Sequence, residues 1–250
     1  MVFMSERMVK LIVEYDGSDF SGWQVQPNKR TVQEEIETAI AKITRQSTRI
    51  TAAGRTDAGV HATGQVANFR TSTTIETKRL MLALNGNLPR DVSIVAIEDV
   101  PREFHARFDA TARTYRYKIA DHRVSIGRNY AWHVKYGLSH ELLERAVEPL
   151  HGLLNLKGLS RGDEDDDYET VIFKNSWTFE ENFMIFEISA IRFFHNAVRR
   201  IVGTAVEIAR GAVDENLMEQ ILETGDRTIS GPAAPARGLC LVHVAYGENK

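Results

Sequence analysis

Residues 9–15, VKLIVEY, alternate strictly: Val9, Leu11, Val13 and Tyr15 fall on one face, and Lys10, Ile12 and Glu14 on the other. That period of two is the mark of a strand with one buried face. Asp16-Gly17-Ser18 then makes a turn. From Thr31 the period lengthens to that of a helix, with Ile36, Ile40 and Ile43 as its apolar stripe. The helix opens on TVQE, the spacing of a capping box in which Glu34 reaches back to the Thr31 amide. A chain that starts this way must bury a sheet face and a helix stripe against each other, so the fold mixes α and β.

The rest of the chain continues in the same style. Strands are expected over 65–70, 92–99, 113–120, 170–180, 183–191 and 239–246, and helices over 75–86, 139–150, 195–210 and 214–224. The last of these helices is opened by Asp214 and closed by Gly225. Gly and Pro over 225–238 mark a surface loop. Strand and helix do not alternate regularly, which favours α+β over a doubly wound sheet. No low-complexity linker separates the halves, so we expect two α/β halves, residues 1–108 and 109–250, packed rigidly together.

Composition narrows the function classes. An apolar fraction of 43% and a charged fraction of 26% suit a soluble globular protein. No apolar run reaches the roughly 18 residues of a membrane span, and the opening MVFMSERMVK lacks the apolar core of a secretory signal. A cytoplasmic location is expected. The single cysteine, Cys240, excludes an internal disulfide and a multi-cysteine zinc site, and the eight histidines show no HxH or HExxH spacing. No structural metal is expected. The net charge of -3 argues at first sight against nucleic acid, but residues 161–169, RGDEDDDYE, carry -5 of it and leave the remainder at +2. Residues 101–130 hold seven Lys/Arg against three acids, and local potential rather than total charge decides where a polyanion binds.

Three segments carry candidate chemistry. The run AGRTDAGVHATGQ, residues 53–65, sets Arg55 and Asp57 between Gly54 and Gly59. Small residues there permit a tight turn and a close approach. The loop fits neither a P-loop nor a dinucleotide fingerprint. Asp57 is either a turn residue capping a backbone amide or a catalytic carboxylate, and the loop alone leaves both open. In RTYRYKIA, residues 113–120, Arg113, Tyr115, Tyr117 and Ile119 share one face and Thr114, Arg116 and Lys118 the other. Either the tyrosines stack on bases beside phosphate-binding arginines, or they are core with satisfied hydroxyls. In IRFFHNAVRRIVGTAVEIARG, residues 191–211, Val198, Ile201, Val202 and Ala205 form a buried helix face. Arg199 and Arg200 near its start are either solvated, or one of them turns inward to hold a carboxylate ionised.

With GRTDAGVHATGQ, FHARFDATARTYRYKI and FFHNAVRRIVGTAVEIARG side by side, the chain resembles the TruA family of tRNA pseudouridine synthases, from VEYDGSDFSGWQ to the last strand. The resemblance implies two RNP-like α/β halves forming a pseudouridine synthase catalytic core with a continuous, mostly antiparallel sheet. It makes Asp57 the catalytic nucleophile and puts Arg55 beside a flipped base. Tyr115 would contact the target uracil, and Arg199 would pair with the aspartate. It also implies a homodimer that modifies uridines 38, 39 and 40 of the tRNA anticodon stem-loop. Isomerising uridine involves no net redox change or group transfer, so no cofactor is expected. Residues 153–170 depart from the family pattern, which usually carries an HDF-like aromatic signature there.

Overall fold

A computed structural model describes residues 6–162 and 167–247; residues 163–166 of the acidic segment lie outside the described residues. In chain order the elements are β1 (Arg7–Tyr15), α1 (Val32–Thr44), β2 (Thr51–Ala52), β3 (His61–Thr71), α2 (Thr77–Asn85), β4 (Val92–Val100) and β5 (Ala110–Ala120). They continue with β6 (Trp132–His133), α3 (His140–Val147), β7 (Gly152–Asn155), β8 (Glu169–Glu180), β9 (Phe183–Ala190), α4 (Ala197–Ala209), α5 (Leu217–Thr224) and β10 (Leu239–Tyr246). The fold is α+β with a large, mostly antiparallel sheet.

The chain divides into two compact units, Met1–Thr111 with Leu241–Lys250, and Ala112–Cys240. The division does not follow chain order, because the last strand leaves the second unit after its second residue. In the first unit the strands run β4-β1-β3-β10, with β2 on β3. β1 is the strand its alternation predicts. Val9, Leu11 and Val13 are fully buried, Tyr15 nearly so, and Glu14 on the opposite face is exposed. Leu11 pairs with Ala67 of β3 and Ile97 of β4, antiparallel on both sides. Each such aliphatic side chain contributes about 1.5–3 kcal/mol on burial.

Helix α1 buries Ile36 and Ile40 completely, as its stripe requires, but the capping box does not form. Thr31 is the N-cap, yet its hydroxyl makes no capping bond and is buried without a partner. The first amides are satisfied differently: Val32 N–H donates to the Gly22 carbonyl at 3.3 Å and Gln33 N–H to the Trp23 carbonyl at 3.0 Å. Carbonyls from the turn after β1 therefore hold the helix start at the Val32 and Gln33 amides, and the Thr31 side chain makes no cap.

In the second unit the strands run β5-β9-β8-β7, with β6 parallel to the end of β5. Helix α4 is the centre of the helical side and packs against α3 and α5. Its expected face, Val198, Ile201, Val202 and Ala205, is buried. Residues 230–234, read from sequence as surface loop, run along α4 instead. Gly231 N–H donates to Thr204 Oγ1 at 3.0 Å, and Ala234 N–H donates to the Arg199 carbonyl at 2.9 Å. Gly231 and Ala234 are buried as a result. Helix α5 begins at Leu217 behind an aspartate-initiated turn, where Asp214 Oδ1 accepts the Asn216 amide at 2.8 Å. It ends at Gly225 in the left-handed region, φ 64°.

Candidate active site

The loop carrying Arg55 and Asp57 joins β2 to β3, and it is tied down along its length. Ala53 N–H donates to the Val66 carbonyl at 2.8 Å, and Gln65 Nε2 donates to the Gly54 carbonyl at 2.8 Å. Thr56 is buried, with its hydroxyl 2.7 Å from the Tyr15 hydroxyl, while the Trp23 amide donates to the Thr56 carbonyl at 3.1 Å. With Thr56 turned inward, its neighbours turn outward: Arg55 is exposed and Asp57 half-buried. A tight turn follows, in which Val60 N–H donates to the Asp57 carbonyl at 3.2 Å and Gly59 takes φ 77°. The Asp57 backbone carbonyl closes this turn, and the turn carries the carboxylate on a braced loop.

The brace is the segment 16–23, DGSDFSGW. A Cβ on Gly17 would lie 2.0 Å from the Val60 carbonyl oxygen. One on Gly22, at φ +97°, would lie 2.7 Å from the Thr56 carbonyl oxygen. Only glycine lets the two backbones approach this closely. Since the carbonyls of Gly22 and Trp23 also cap α1, strand, helix and loop share one support. Reading the sequence element by element missed this role of Tyr15, Gly17, Gly22 and Trp23. The signal was present in two glycines set five residues apart between a clear strand and a clear helix.

Tyr115 and Arg199 belong to the second unit. Tyr115, on β5 opposite Ile188 of β9, is 8% exposed and meets Phe193 edge-on, centroids 5.3 Å apart and planes at 89°. Arg199, in the first turn of α4, is held at both ends of its guanidinium. Nε donates to the Ala234 carbonyl at 2.7 Å and Nη1 to Asn196 Oδ1 at 2.9 Å. Asn196 is itself left-handed, φ 65°. Both residues thus bear on the short segment that leads into α4. Arg200 turns away, donating from Nη1 to Ser230 Oγ at 2.7 Å.

Of the two readings open for the tyrosines of β5, Tyr117 takes the core one and is not a base-stacking ring: it is fully buried, and its hydroxyl donates to the Pro235 carbonyl at 2.7 Å. Burial pushes its phenol well above the usual range, with Arg199 and Arg237 pulling in the opposite direction. Nor do Arg113 and Arg116 form an open phosphate stripe. Arg113 is buried and donates to the Ile191 carbonyl at 2.6 Å. Arg116 pairs with Glu187 at 2.8 Å, and Lys174 reaches the same carboxylate at 3.2 Å. These hydrogen bonds, Arg116 foremost, hold Glu187 below the usual carboxylate range against the opposing effect of burial.

Among the described residues no group of three or more His, Cys, Asp or Glu is placed to hold a metal ion, and no helix is long and apolar enough to cross a membrane.

The family model described as tRNA pseudouridine synthase matches residues 11–109 and 146–247, which include Asp57 and Arg199. A "tRNA pseudouridine synthase A" of Thermoanaerobacter sp. (strain X514) is 39% identical over 248 residues, covering 96% of this chain and 100% of the relative. The same coverage holds for "tRNA pseudouridine synthase A 2" of Clostridium perfringens, at 38% over 244 residues, and for "tRNA pseudouridine synthase A" of Caldicellulosiruptor saccharolyticus, at 40% over 243 residues. The chain belongs to the tRNA pseudouridine synthase family.

Proposed function

We propose that this protein isomerises uridine to pseudouridine in tRNA, at positions 38, 39 and 40 of the anticodon stem-loop, with the Asp57 carboxylate as nucleophile. The carrying observation is that carboxylate itself: a half-buried aspartate on a loop locked by Thr56, Gly17 and Gly22, inside a full-length family match. In the reaction the N1–C1′ bond breaks, the uracil rotates, and a C5–C1′ bond forms. C5 gives up its proton to solvent and N1 gains one. Atoms and electrons balance within substrate and water, so the chemistry as written calls for no cofactor.

Each remaining residue has a role that its chemistry suits. The target base must leave its stack, at a cost of a few kcal/mol, and the exposed Arg55 is the side chain to fill the gap. Tyr115 offers a ring to the extruded uracil and limits water, which would turn isomerisation into hydrolysis of the glycosidic bond. Arg199 supplies the positive charge that keeps Asp57 ionised in a desolvated site. A cytoplasmic homodimer, with RNA lying across both subunits, completes the reading.

The test is tritium release from an unmodified tRNA transcript labelled at C5 of uridine. Wild type should release label and Asp57→Ala should lose roughly three or more orders of magnitude in rate while still binding tRNA. A wild type that binds tRNA and releases nothing would defeat the enzyme reading, and equal release by the variant would remove Asp57 from its role. Mapping the modified nucleotides checks the three positions.

A further inference from the structure

A cavity of about 270 Å³ in the second unit has a lining of one sign: Arg123, Arg128, His133 and Arg237 border it, and no carboxylate does. The three arginines come from parts of the chain that sequence reading did not connect, and the fold brings them together through identifiable interactions. Arg123 and Arg128 sit on the connection after β5, which closes in a 3-10 turn at Arg128–Tyr130. His133 is fixed by the pairing of β6 with the end of β5, where it lies opposite Ala120. Arg237 sits on a second 3-10 turn, Ala236–Gly238, which is seated on Tyr117. The Tyr117 hydroxyl donates to the Pro235 carbonyl at 2.7 Å, and a Cβ on Gly238 would lie 2.5 Å from the Tyr117 ring. The buried tyrosine thereby sets the position of an arginine at the surface.

The charge in this cavity is uncompensated, unlike that of several other arginines of the unit. Arg116, Arg145, Arg192 and Arg210 are each in an ion pair with Glu187, Glu215, Asp167 and Glu207 respectively. Among the described residues none of Arg123, Arg128 and Arg237 has a carboxylate partner. Three guanidinium groups lining one concavity repel one another and gain from an anion bound between them, which they meet with planar, paired N–H donors. The lining has no Phe, Tyr or Trp ring on which a base could stack. The volume falls below the roughly 300–1,000 Å³ of small-molecule sites. It suits a phosphate group and its sugar.

We propose that the cavity bordered by Arg123, Arg128, His133 and Arg237 holds backbone phosphodiester groups of the RNA substrate and so fixes the register of the strand on the second unit. The inference rests on the tRNA reading above. Interactions of this kind position a nucleic acid without reading its sequence. Of the basic residues in 101–130, Arg123 and Arg128 line this cavity, joined by Arg237 from far along the chain, while Arg113 and Arg116 are committed elsewhere.

The experiment measures tRNA affinity against salt concentration for wild type, Arg128→Ala/Arg237→Ala, the charge reversal Arg128→Glu, and Arg145→Ala as a control from an ion pair of the same unit. Removing one arginine–phosphate interaction should lower the slope of log K against log salt by about 0.7–0.9. The double alanine variant is expected to lower it by about one to two and to weaken binding roughly 10- to 100-fold near physiological salt, equally for tRNAs of different sequence. Arg128→Glu should weaken it further, and Arg145→Ala should keep the wild-type slope. Thermal melting confirms that each variant is folded. Unchanged slopes in the cavity variants, or an equal change in the control, would overturn the proposal. Inorganic phosphate and uridine monophosphate serve as competitors. If millimolar phosphate binds the wild type and not the double variant while RNA slopes are the same, the site is one for free anions and the RNA assignment is wrong. Tritium release by wild type is read in parallel, because its absence would strike the isomerase reading and leave the binding result standing.

Discussion

Arg199 and Ala234 grip each other twice: the Arg199 Nε donates to the Ala234 carbonyl at 2.7 Å, and the Ala234 amide donates to the Arg199 backbone carbonyl at 2.9 Å. A third bond, from Nη1 to Asn196 Oδ1 at 2.9 Å, fixes the plane of the guanidinium. The geometry is specific to arginine, whose rigid fork supplies donors in several directions at once. Arg199→Lys keeps the charge and loses that fork. Its expected effect is a fall of about 100-fold in single-turnover tritium release, the scale that follows from misplacing a group by about 1 Å. Wild-type rates in the lysine variant would show that charge alone matters here. Removing the part-buried bonds should cost stability about 1–2 kcal/mol, read by urea denaturation.

Tyr15 and Thr56 make a buried hydroxyl–hydroxyl bond of 2.7 Å between β1 and the residue next to Asp57. Tyr15→Phe leaves the Thr56 hydroxyl buried and unpaired, at a cost of about 1–3 kcal/mol. Removing both hydroxyls with Tyr15→Phe/Thr56→Val should recover part of that cost. The double variant is therefore expected to be more stable than the sum of the single changes predicts, by about 0.5 kcal/mol or more. Strict additivity in denaturant melts would mean that the bond contributes nothing to holding the loop.

The parts of the fold legible in the sequence are those with a period. β1, the buried stripe of α4 and β10 stand where alternation or helical spacing puts them. The two-residue strands β2 and β6 and the four-residue β7 are too short to show one. Their pairing is decided by neighbours distant in sequence. The failed capping box at Thr31 has the same origin: local chemistry proposed a Thr31–Glu34 cap, and the helix start is held instead at the Val32 and Gln33 amides by the carbonyls of Gly22 and Trp23. Tyr117 could be either a base-stacking ring or core and Arg113 a phosphate ligand, because tyrosine and arginine suit both settings, and only the packed sheet shows them buried. For the candidate site, motif recognition singled out Asp57, Arg55, Tyr115 and Arg199. The residues supporting them left only a pair of spaced glycines as a signal, and a glycine's role in close approach depends on what approaches it.

Gly22 and Gly54 flank the same loop and should respond differently to alanine. At Gly22 the backbone has φ +97°, and a Cβ would meet the Thr56 carbonyl oxygen at 2.7 Å. At Gly54 nothing lies within 4 Å of the added carbon. Gly22→Ala should destabilise by about 1–3 kcal/mol, the cost of holding alanine in that region or of moving the loop, and Gly54→Ala should stay within about 0.5 kcal/mol. Melting temperatures check both. Equal effects at the two positions would contradict the close approach of the turn after β1 to the loop that carries Asp57.

Glu187 lies between Arg116 at 2.8 Å and Lys174 at 3.2 Å, and it is three-quarters buried as a side chain. The hydrogen bond from Arg116, followed by that from Lys174, depresses its pKa from the ordinary 4.5, although burial opposes them. A carboxylate with a lowered folded-state pKa binds its proton more readily in the unfolded chain. The stability it contributes is therefore complete above about pH 4.5 and is lost as pH falls through the folded-state value. Glu187→Gln should cost about 0.2–1 kcal/mol at pH 7, the range of partly exposed ion pairs. The gap to wild type should narrow as the pH drops below about 4.5 and close once it lies below the folded-state value, where the side chain is protonated in both states. Denaturant melts of both proteins at about pH 7, 5 and 3.5 test this linkage. A gap that does not change with pH would assign the effect to packing instead. The same melts in high salt should narrow the difference at neutral pH, because a partly exposed pair is screened. tRNA affinity should weaken little when Arg116 is replaced by alanine, since its charge is already committed to Glu187.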